Sequence, residues 1–383
     1  MSLATNIRHA AGPLTGYRII ELGGIGPVPY CGMLLADMGA EVIRIDREAA
    51  ANPIGLEGRF DTTRRGKKSV ILDLKSQAGN EAILALAKSS DVLIEGMRPG
   101  AAERLGIGPD ALAALNPRLV YGRLTGWGQT GTMVHGAGHD INYLALTGLL
   151  HAIGLKGSRP VPPLNLVADY GGGTMFLLAG ILAALLERNH SGLGQVIDAA
   201  MVDGAVSLGT TAFGLLAIDG WIDERGVNHV DSGNPWYDSY ATSDGRYVAI
   251  APEERPFRLA FLQALCLDIA DFDALEAAGD MDEIRSRLQA VFATRTRDEW
   301  ERLLADTDAC ATPVLSMKEA QQHPHLRARQ TFCDVNGITQ PAPAPRFSRT
   351  PSRSPQEPAA MGAHTDEILA ELGLMSSQDA APR

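Results

Sequence analysis

Three short stretches of this sequence carry side chains that can move a proton or attack a carbonyl. In Gly138-His139-Asp140-Ile141-Asn142-Tyr143 a histidine stands just ahead of an apolar-periodic segment, Ile141–Leu150, which predicts a helix. His139 then lies at or before a helix N-terminus, where outward-pointing N–H groups favour negative charge. His139 has two readings, structural or catalytic, and Asp140 reads as a cap of that helix. In Asn165–Gly173 (NLVADYGGG) Asp169 opens a long apolar helix, Asp169–Arg188, beside three glycines that would let a ligand approach the backbone. Asp169 is either an N-cap or a carboxylate acting as base or nucleophile. Glu253-Glu254 precedes a helix starting at Arg255 and reads as its charge complement.

Two further features concern binding. Gly23-Gly24-Ile25-Gly26 follows a strand, with Asp46 twenty residues beyond Gly26, which imitates a dinucleotide fingerprint. The third glycine is missing, because Pro29 stands in its place, so a tight strand-to-helix turn is the expectation. Basic residues gather at Arg44, Arg47, Arg64-Arg65-Gly66-Lys67-Lys68, Lys75, Arg98 and Arg104. They are either solvated surface or a cradle for the phosphates of an anionic ligand.

The elements that must position these residues follow from hydrophobic patterning. Tyr17–Leu22, Glu41–Ile45, Val70–Leu74, Asp91–Glu95 and Leu119–Leu124 read as buried strands, with helices at Val28–Met38 and Gln77–Ser89 between them. Buried strands alternating with helices predict an α/β fold with a parallel sheet, and ligands there bind beyond the strands' carboxyl ends. After about Leu215 a hairpin, Ser239–Ile250, turns at Asp244-Gly245. Helices at Arg255–Leu265, Met281–Ala293 and Arg297–Ala305 follow, completing a smaller α+β domain. Gln340–Pro351 is a Pro-rich linker, and a short helix lies near Thr365–Leu372. The expected division is a large Rossmann-like domain, 1–215 with 330–383, and a small domain, 225–315.

Composition narrows the function. The 383 residues are 45% hydrophobic and 21% charged, which is globular, and suffice for two domains. A net charge of −11 argues against a nucleic-acid partner. The four cysteines are scattered, so neither a disulfide framework nor a metal site is expected. No signal peptide is evident, and the longest apolar run, Met175–Leu186, is too short to span a bilayer. A soluble, cytoplasmic protein without membrane contact is the expectation.

Gly16–Leu22 (GYRIIEL), Ala40–Asp46 (AEVIRID), Leu72–Lys75 (LDLK), Asp91–Glu95 (DVLIE), Arg98–Gly100 (RPG) and Thr125–Gly128 (TGWG) together resemble the family III CoA-transferase (CaiB/BaiF-type) superfamily. Gly138–Tyr143 and Asn165–Asp169 are similar to its α-methylacyl-CoA racemase branch. The likeness runs from about Gly12 to about Arg349. It implies a Rossmann-like large domain drawn from both chain ends and an interlocked homodimer. It places the active site between the large domain of one chain and the small domain of the other. It further implies an isomerase that interconverts 2R and 2S branched-chain acyl-CoA thioesters, with no cofactor or metal.

By motif match, Arg47, Leu72, Asp73, Leu74, Lys75, Gly96, Met97, Arg98, Pro99, Gly100, Arg104, Gly138, Ile141, Asn142 and Tyr143 would contact CoA. His139 and Asp169 would be the two bases, one on each face of the α-carbon. The N–H of Asp140 would hold the enolate oxygen. Glu254 would be an acid from the small domain near the histidine, although Arg255-Pro256 follows it where the pattern has Pro-Gln. Two alternatives stand beside this: a CoA-transferase using Asp169 as nucleophile, and a non-catalytic acyl-CoA binder.

Overall fold

The protein is described by a computed structural model covering residues 12–48, 56 and 58–374. Two units divide the chain: 1–147 with 164–208 and 328–383, and 148–163 with 209–327. The sequence reading kept the first body unbroken to 215. The chain instead leaves it at Gly148, a left-handed glycine (φ +83°) that also splits the expected helix Ile141–Leu150.

The first unit is built on six parallel strands: β1 (Arg18–Leu22), β2 (Glu41–Asp46), β3 (Lys67–Ile71), β4 (Val92–Glu95), β5 (Val120–Thr125) and β6 (Val196–Ala200). Their spatial order is β3-β2-β1-β4-β5-β6, the doubly wound order, with its switch point between β1 and β4. Ile19, Ile20, Ile43, Leu93 and Ile94 are fully buried, as strands covered on both faces require. The covering helices of the first half are α1 (Pro27–Asp37), α2 (Gln77–Lys88), α3 (Ala101–Arg104) and α4 (Pro109–Leu115). Ser76 caps α2 by accepting the Gly79 N–H.

After β5 comes α5 (Asp140–Leu146), while α6 (Leu149–Ala152) belongs to the second unit. Back in the first unit, Leu166–Thr174 is π-helical and runs directly into α7 (Met175–Ser191). The expected helix therefore begins three residues earlier than its apolar periodicity suggests. Together the two stretches make a rod of 26 residues, long and apolar enough by length and composition to cross a membrane. The twelve-residue run Met175–Leu186 lies inside this rod, which is longer because Leu166–Thr174 and Glu187–Ser191 are helical as well. β6 and α8 (Met201–Leu208) follow.

The three glycines of the π-helical stretch serve packing. A Cβ on Gly172 would stand 2.5 Å from the Ala205 nitrogen, and one on Gly204 would stand 1.9 Å from the Gly172 oxygen. They let two backbones touch, and Gly172 and Gly173 are themselves buried, so these two are not open to a ligand. The chain ends return to this unit as the hairpin Phe332–Val335/Ile338–Pro341 and the helix Thr365–Glu371, whose Ile368 joins the core. The expected linker at Gln340 thus starts inside a strand.

The second unit contains α9 (Thr210–Leu216) and a three-stranded antiparallel sheet of β7 (Asp238–Ala241), β8 (Tyr247–Ile250) and β9 (Ala311–Pro313). Its other helices include α10 (Arg255–Ala264), α11 (Ile269–Ala278), α12 (Met281–Phe292) and α13 (Arg297–Leu304). Aromatic side chains form its core, with Tyr240 stacked on Phe292 at 5.4 Å between ring centroids.

Candidate functional site

Beyond the carboxyl ends of β1 to β4 lies a cavity of about 960 Å³. Gly23, Gly24 and Ile25 line it after β1, Asp46 and Arg47 at the end of β2, and Leu72–Lys75 after β3. Met97 and Arg98 enter after β4, and Ala101, Arg104 and Leu105 come from α3 and its end. β3 ends at Ile71 rather than at Leu74, which frees Leu72–Lys75 to form that wall.

The basic cluster separates into two sets. Arg44 pairs with Glu21 at 2.7 Å and Asp46 at 2.9 Å, and Arg64 pairs with Asp46 at 3.0 Å. Arg65 is bound to Asp37, Lys67 to Glu21, and Lys68 to Glu41 and Glu367. These cations hold the sheet and its edge together. Among the described residues, Arg47, Lys75, Arg98 and Arg104 have no carboxylate partner, are exposed, and all line the cavity. A wall of unpaired cations fits an anionic ligand. The dinucleotide imitation fails structurally too. The Asp46 carboxylate is buried, committed to two arginines, and so close to Gly23 that a Cβ there would stand 2.3 Å from it.

One buried network shapes the β4 end of the cavity. Glu95, fully buried, accepts the Met97 N–H at 2.5 Å and the Arg123 Nε at 3.0 Å. Arg123 in turn holds Glu103 of α3 at 2.8 Å. The loop carrying Arg98 and the helix carrying Arg104 are therefore tied to one charge pair. Gly96, Pro99 and Gly100 belong to this loop without lining the cavity, and Gly100 (φ +80°) precedes α3.

Asp169, one of the two candidate bases, sits at the other end of the β1 turn. Gly26 closes that turn, and a Cβ there would lie 3.7 Å from Asp169 Oδ2. Asp169 is half-buried within the π-helical stretch, and Asn165 Nδ2 donates to its Oδ2 at 3.2 Å. Burial raises its carboxyl above the usual range, opposed by the Asn165 hydrogen bond; the Asp140 charge adds to the rise and His139 opposes it. His139 is therefore within electrostatic reach of Asp169, and it occupies the N-cap position of α5, as expected from its place before the apolar run.

Asp140 does not cap α5. Its Oδ2 accepts the N–H groups of Ala168 at 2.9 Å and Asp169 at 2.8 Å. Asn142 Oδ1 accepts the His139 N–H at 3.1 Å, and the Tyr143 hydroxyl donates to the Gly138 carbonyl. Tyr143 also packs edge-on against Trp127 at 4.8 Å. Gly138, Ile141, Asn142 and Tyr143, implied as CoA contacts, do not line the cavity. Instead Asn142 and Tyr143 fix the backbone that presents His139. The turn Gly23–Gly26 is the strand-to-helix turn expected from the sequence; what the sequence did not reveal is that it joins the cationic cavity to Asp169.

In the second unit Glu254 is exposed at the N-cap of α10; its carbonyl accepts the Arg258 N–H at 3.0 Å, and its side chain makes no hydrogen bond or ion pair among the described residues. Its neighbour Glu253 pairs with His229 and accepts from Asn234 at 3.1 Å. Arg258 holds the carbonyls of Pro252 at 3.3 Å and Glu253 at 2.8 Å, which fixes the backbone leading to Glu254. Among the described residues, no three His, Cys, Asp or Glu side chains converge as metal ligands would.

Comparison with known proteins places this geometry in context. The CoA-transferase family III domain matches residues 14–365. Alpha-methylacyl-CoA racemase of Mus musculus is 42% identical over 367 residues, covering 95% of this chain and 94% of the relative. The Homo sapiens protein of the same name is 41% identical, covering 94% and 93%. A solved CAIB/BAIF family protein from Brucella suis superposes with a TM-score of 0.81 at 25% identity, covering 94% of this chain and all of that one.

Proposed function

The chain belongs to CoA-transferase family III, and on that premise we propose that it racemises 2-methyl-branched acyl-CoA thioesters, interconverting the 2R and 2S forms. One observation carries the proposal: Asp140, the residue after His139, holds the peptide N–H of a half-buried Asp169, at the end of a turn whose other residues line a cationic cavity. The names and nearly full-length coverage of the mouse and human relatives support it.

In the proposed reaction Arg47, Lys75, Arg98 and Arg104 hold the CoA phosphates, and the acyl arm passes Gly23–Gly26. One base, His139 or Asp169, removes the α-proton. The electron pair moves onto the thioester oxygen, and the conjugate acid of the other base returns a proton on the opposite face. One base must be free while the other carries a proton, and the rise at Asp169 makes its protonated form easier to reach. The N–H of Asp140, first in α5 and so without an intrahelical acceptor, is aimed at the enolate oxygen in this scheme. One such donor is worth roughly 3–4 kcal/mol where measured. The thioester itself acidifies the α-carbon, so the scheme calls for no cofactor. Glu254 is the accessory acid of the second unit.

A homodimer in the cytoplasm completes the proposal. Only 33% of the most apolar window of the 26-residue rod is buried, and Leu186 is 67% exposed. Met175, Phe176, Val206 and Leu208 of α7 and α8 are exposed as well, and a second copy of the chain, rather than lipid, is the proposed cover. The deciding experiment incubates the protein with a (2S)-2-methylacyl-CoA in D₂O. Deuterium at C2 with loss of optical activity is expected. CoA passed to a free carboxylate with no C2 label would instead assign a transferase with Asp169 as nucleophile.

A further inference from the structure

Asp140 is 6% exposed, yet only one of its carboxylate oxygens is engaged. Oδ2 takes two backbone N–H groups, those of Ala168 and Asp169. Oδ1 is buried and has no hydrogen-bond partner among the described residues. An interior carboxylate with an orphan oxygen is costly, and such costs concentrate at working sites. Packing alone would need neither the charge nor the second oxygen. In sequence Asp140 directly follows His139, and in space it grips the peptide of Asp169. A single side chain therefore references both proton-moving groups to one another across two elements distant in the chain.

We propose that the side chain of Asp140 is the positioning residue of the proton-transfer pair, strapping the π-helical turn that carries Asp169 to the start of α5 that carries His139. This function is separate from any role of its N–H and rests on the racemase proposal above. The π-helical turn makes the strap necessary. Wide turns of this kind are rare and persist where surrounding structure holds them. Here the Asp140 carboxylate grips the turn on one side and the glycine contacts of Gly172 and Gly204 on the other.

Charge is the second contribution. The groups facing Asp169 are Asp140 and His139, with Tyr143 in the same field and Asn165 as hydrogen-bond donor. From the α1 side the neighbour is Gly26, and α8 meets the π-helical stretch through Met201, Gly204 and Ala205, none of them charged. Asp140 is thus the negative neighbour that opposes ionisation of Asp169.

The test compares full-length wild type, Asp140→Asn and Asp140→Ala. It reads C2 deuterium exchange of a 2-methylacyl-CoA across pH, KM for that substrate, and the dissociation constant of CoA alone. In Asp140→Asn the amide oxygen can still accept both N–H groups, so geometry is kept and charge is lost. The acidic limb of its kcat profile should move to lower pH while CoA affinity stays at the wild-type value. Asp140→Ala removes the strap, and kcat should fall about 100-fold, the size of a small misplacement of reacting groups, without a matching change in CoA affinity. Should Asp140→Ala fail to fold, the pH profile of Asp140→Asn decides alone. An unmoved profile, or a CoA affinity that falls in step with kcat, overturns the positioning role. A wild-type protein that exchanges no C2 proton overturns the racemase proposal and this one with it.

Discussion

Gly26 and Asp169 stand against each other so closely that a Cβ on the glycine would lie 3.7 Å from the carboxylate oxygen. Gly26 has φ +69°, which L side chains rarely adopt. The position thus combines backbone strain with proximity to the Asp169 carboxylate. Gly26→Ala is expected to lower kcat for C2 exchange more than it weakens CoA binding, because the new methyl enters on the Asp169 side of the turn. Steady-state kinetics with calorimetric CoA binding would separate the two, and a purely KM effect would contradict it.

His139→Ala and Asp169→Ala should each reduce C2 exchange by about 10²–10⁴-fold, the range for losing a positioned acid or base. CoA affinity should persist in both, since neither residue lines the cationic cavity. Single-turnover deuterium incorporation is the appropriate measurement. An alanine variant at either position with wild-type exchange would remove that residue from the mechanism.

The two sets of basic residues should respond to mutation in opposite ways. Arg104→Gln or Arg98→Gln should weaken CoA binding and flatten its salt dependence, leaving Tm nearly unchanged, because each is exposed and unpaired among the described residues. Lys67→Met leaves Glu21 buried with one cation fewer and should cost stability on the order of 3–5 kcal/mol, seen in urea unfolding. Loss of CoA affinity without loss of stability in Lys67→Met would reverse this division.

Asp169 also links activity to stability. Burial, against the Asn165 hydrogen bond, holds its folded carboxyl above the ordinary range, with the Asp140 charge adding to the rise. Folding then favours the protonated form. The cost of ionising it is absent below the ordinary carboxylate range and grows as pH rises through the raised folded value. Asp169→Asn removes that cost, so it should raise Tm at neutral pH, with the gain shrinking on acidification, while abolishing exchange. Thermal melts across pH test this, and a gain independent of pH would argue against it.

Glu95→Gln should weaken binding of CoA alone, since the Met97 N–H and Arg123 position the loop of Arg98 and the helix of Arg104. The kcat at saturating substrate should change little.

Much of this was legible in the sequence, for identifiable reasons. Buried parallel strands advertise themselves as continuous apolar runs, and His139 at a helix start followed from the period of Ile141–Leu150. β6 was missed because it is an edge strand whose first three residues are not buried, which removes the apolar run. β3 was placed three residues late because Lys67 and Lys68 read as surface, whereas Lys67 is buried against Glu21. Partition of the basic cluster depends on carboxylates far apart in the chain, which spacing cannot reveal. The glycines at 171–173 were read as room for a ligand, yet Gly172 accommodates another backbone. Nor does any residue pattern separate a π-helical turn from an α-helical one.

The π-helical turn also carries an evolutionary consequence. Such a turn spends one residue more than an α-helix over the same rise. Deleting a single residue on the N-terminal side of Asp169 would let the rod Leu166–Ser191 continue as regular α-helix, with every earlier side chain rotated by about 100°. The shortened chain would gain a better-bonded helix and lose the register between Asp140 and the peptide of Asp169. The placement of Asp169 against Asp140 thus depends on one residue of helical register, and it is vulnerable to the loss of one codon.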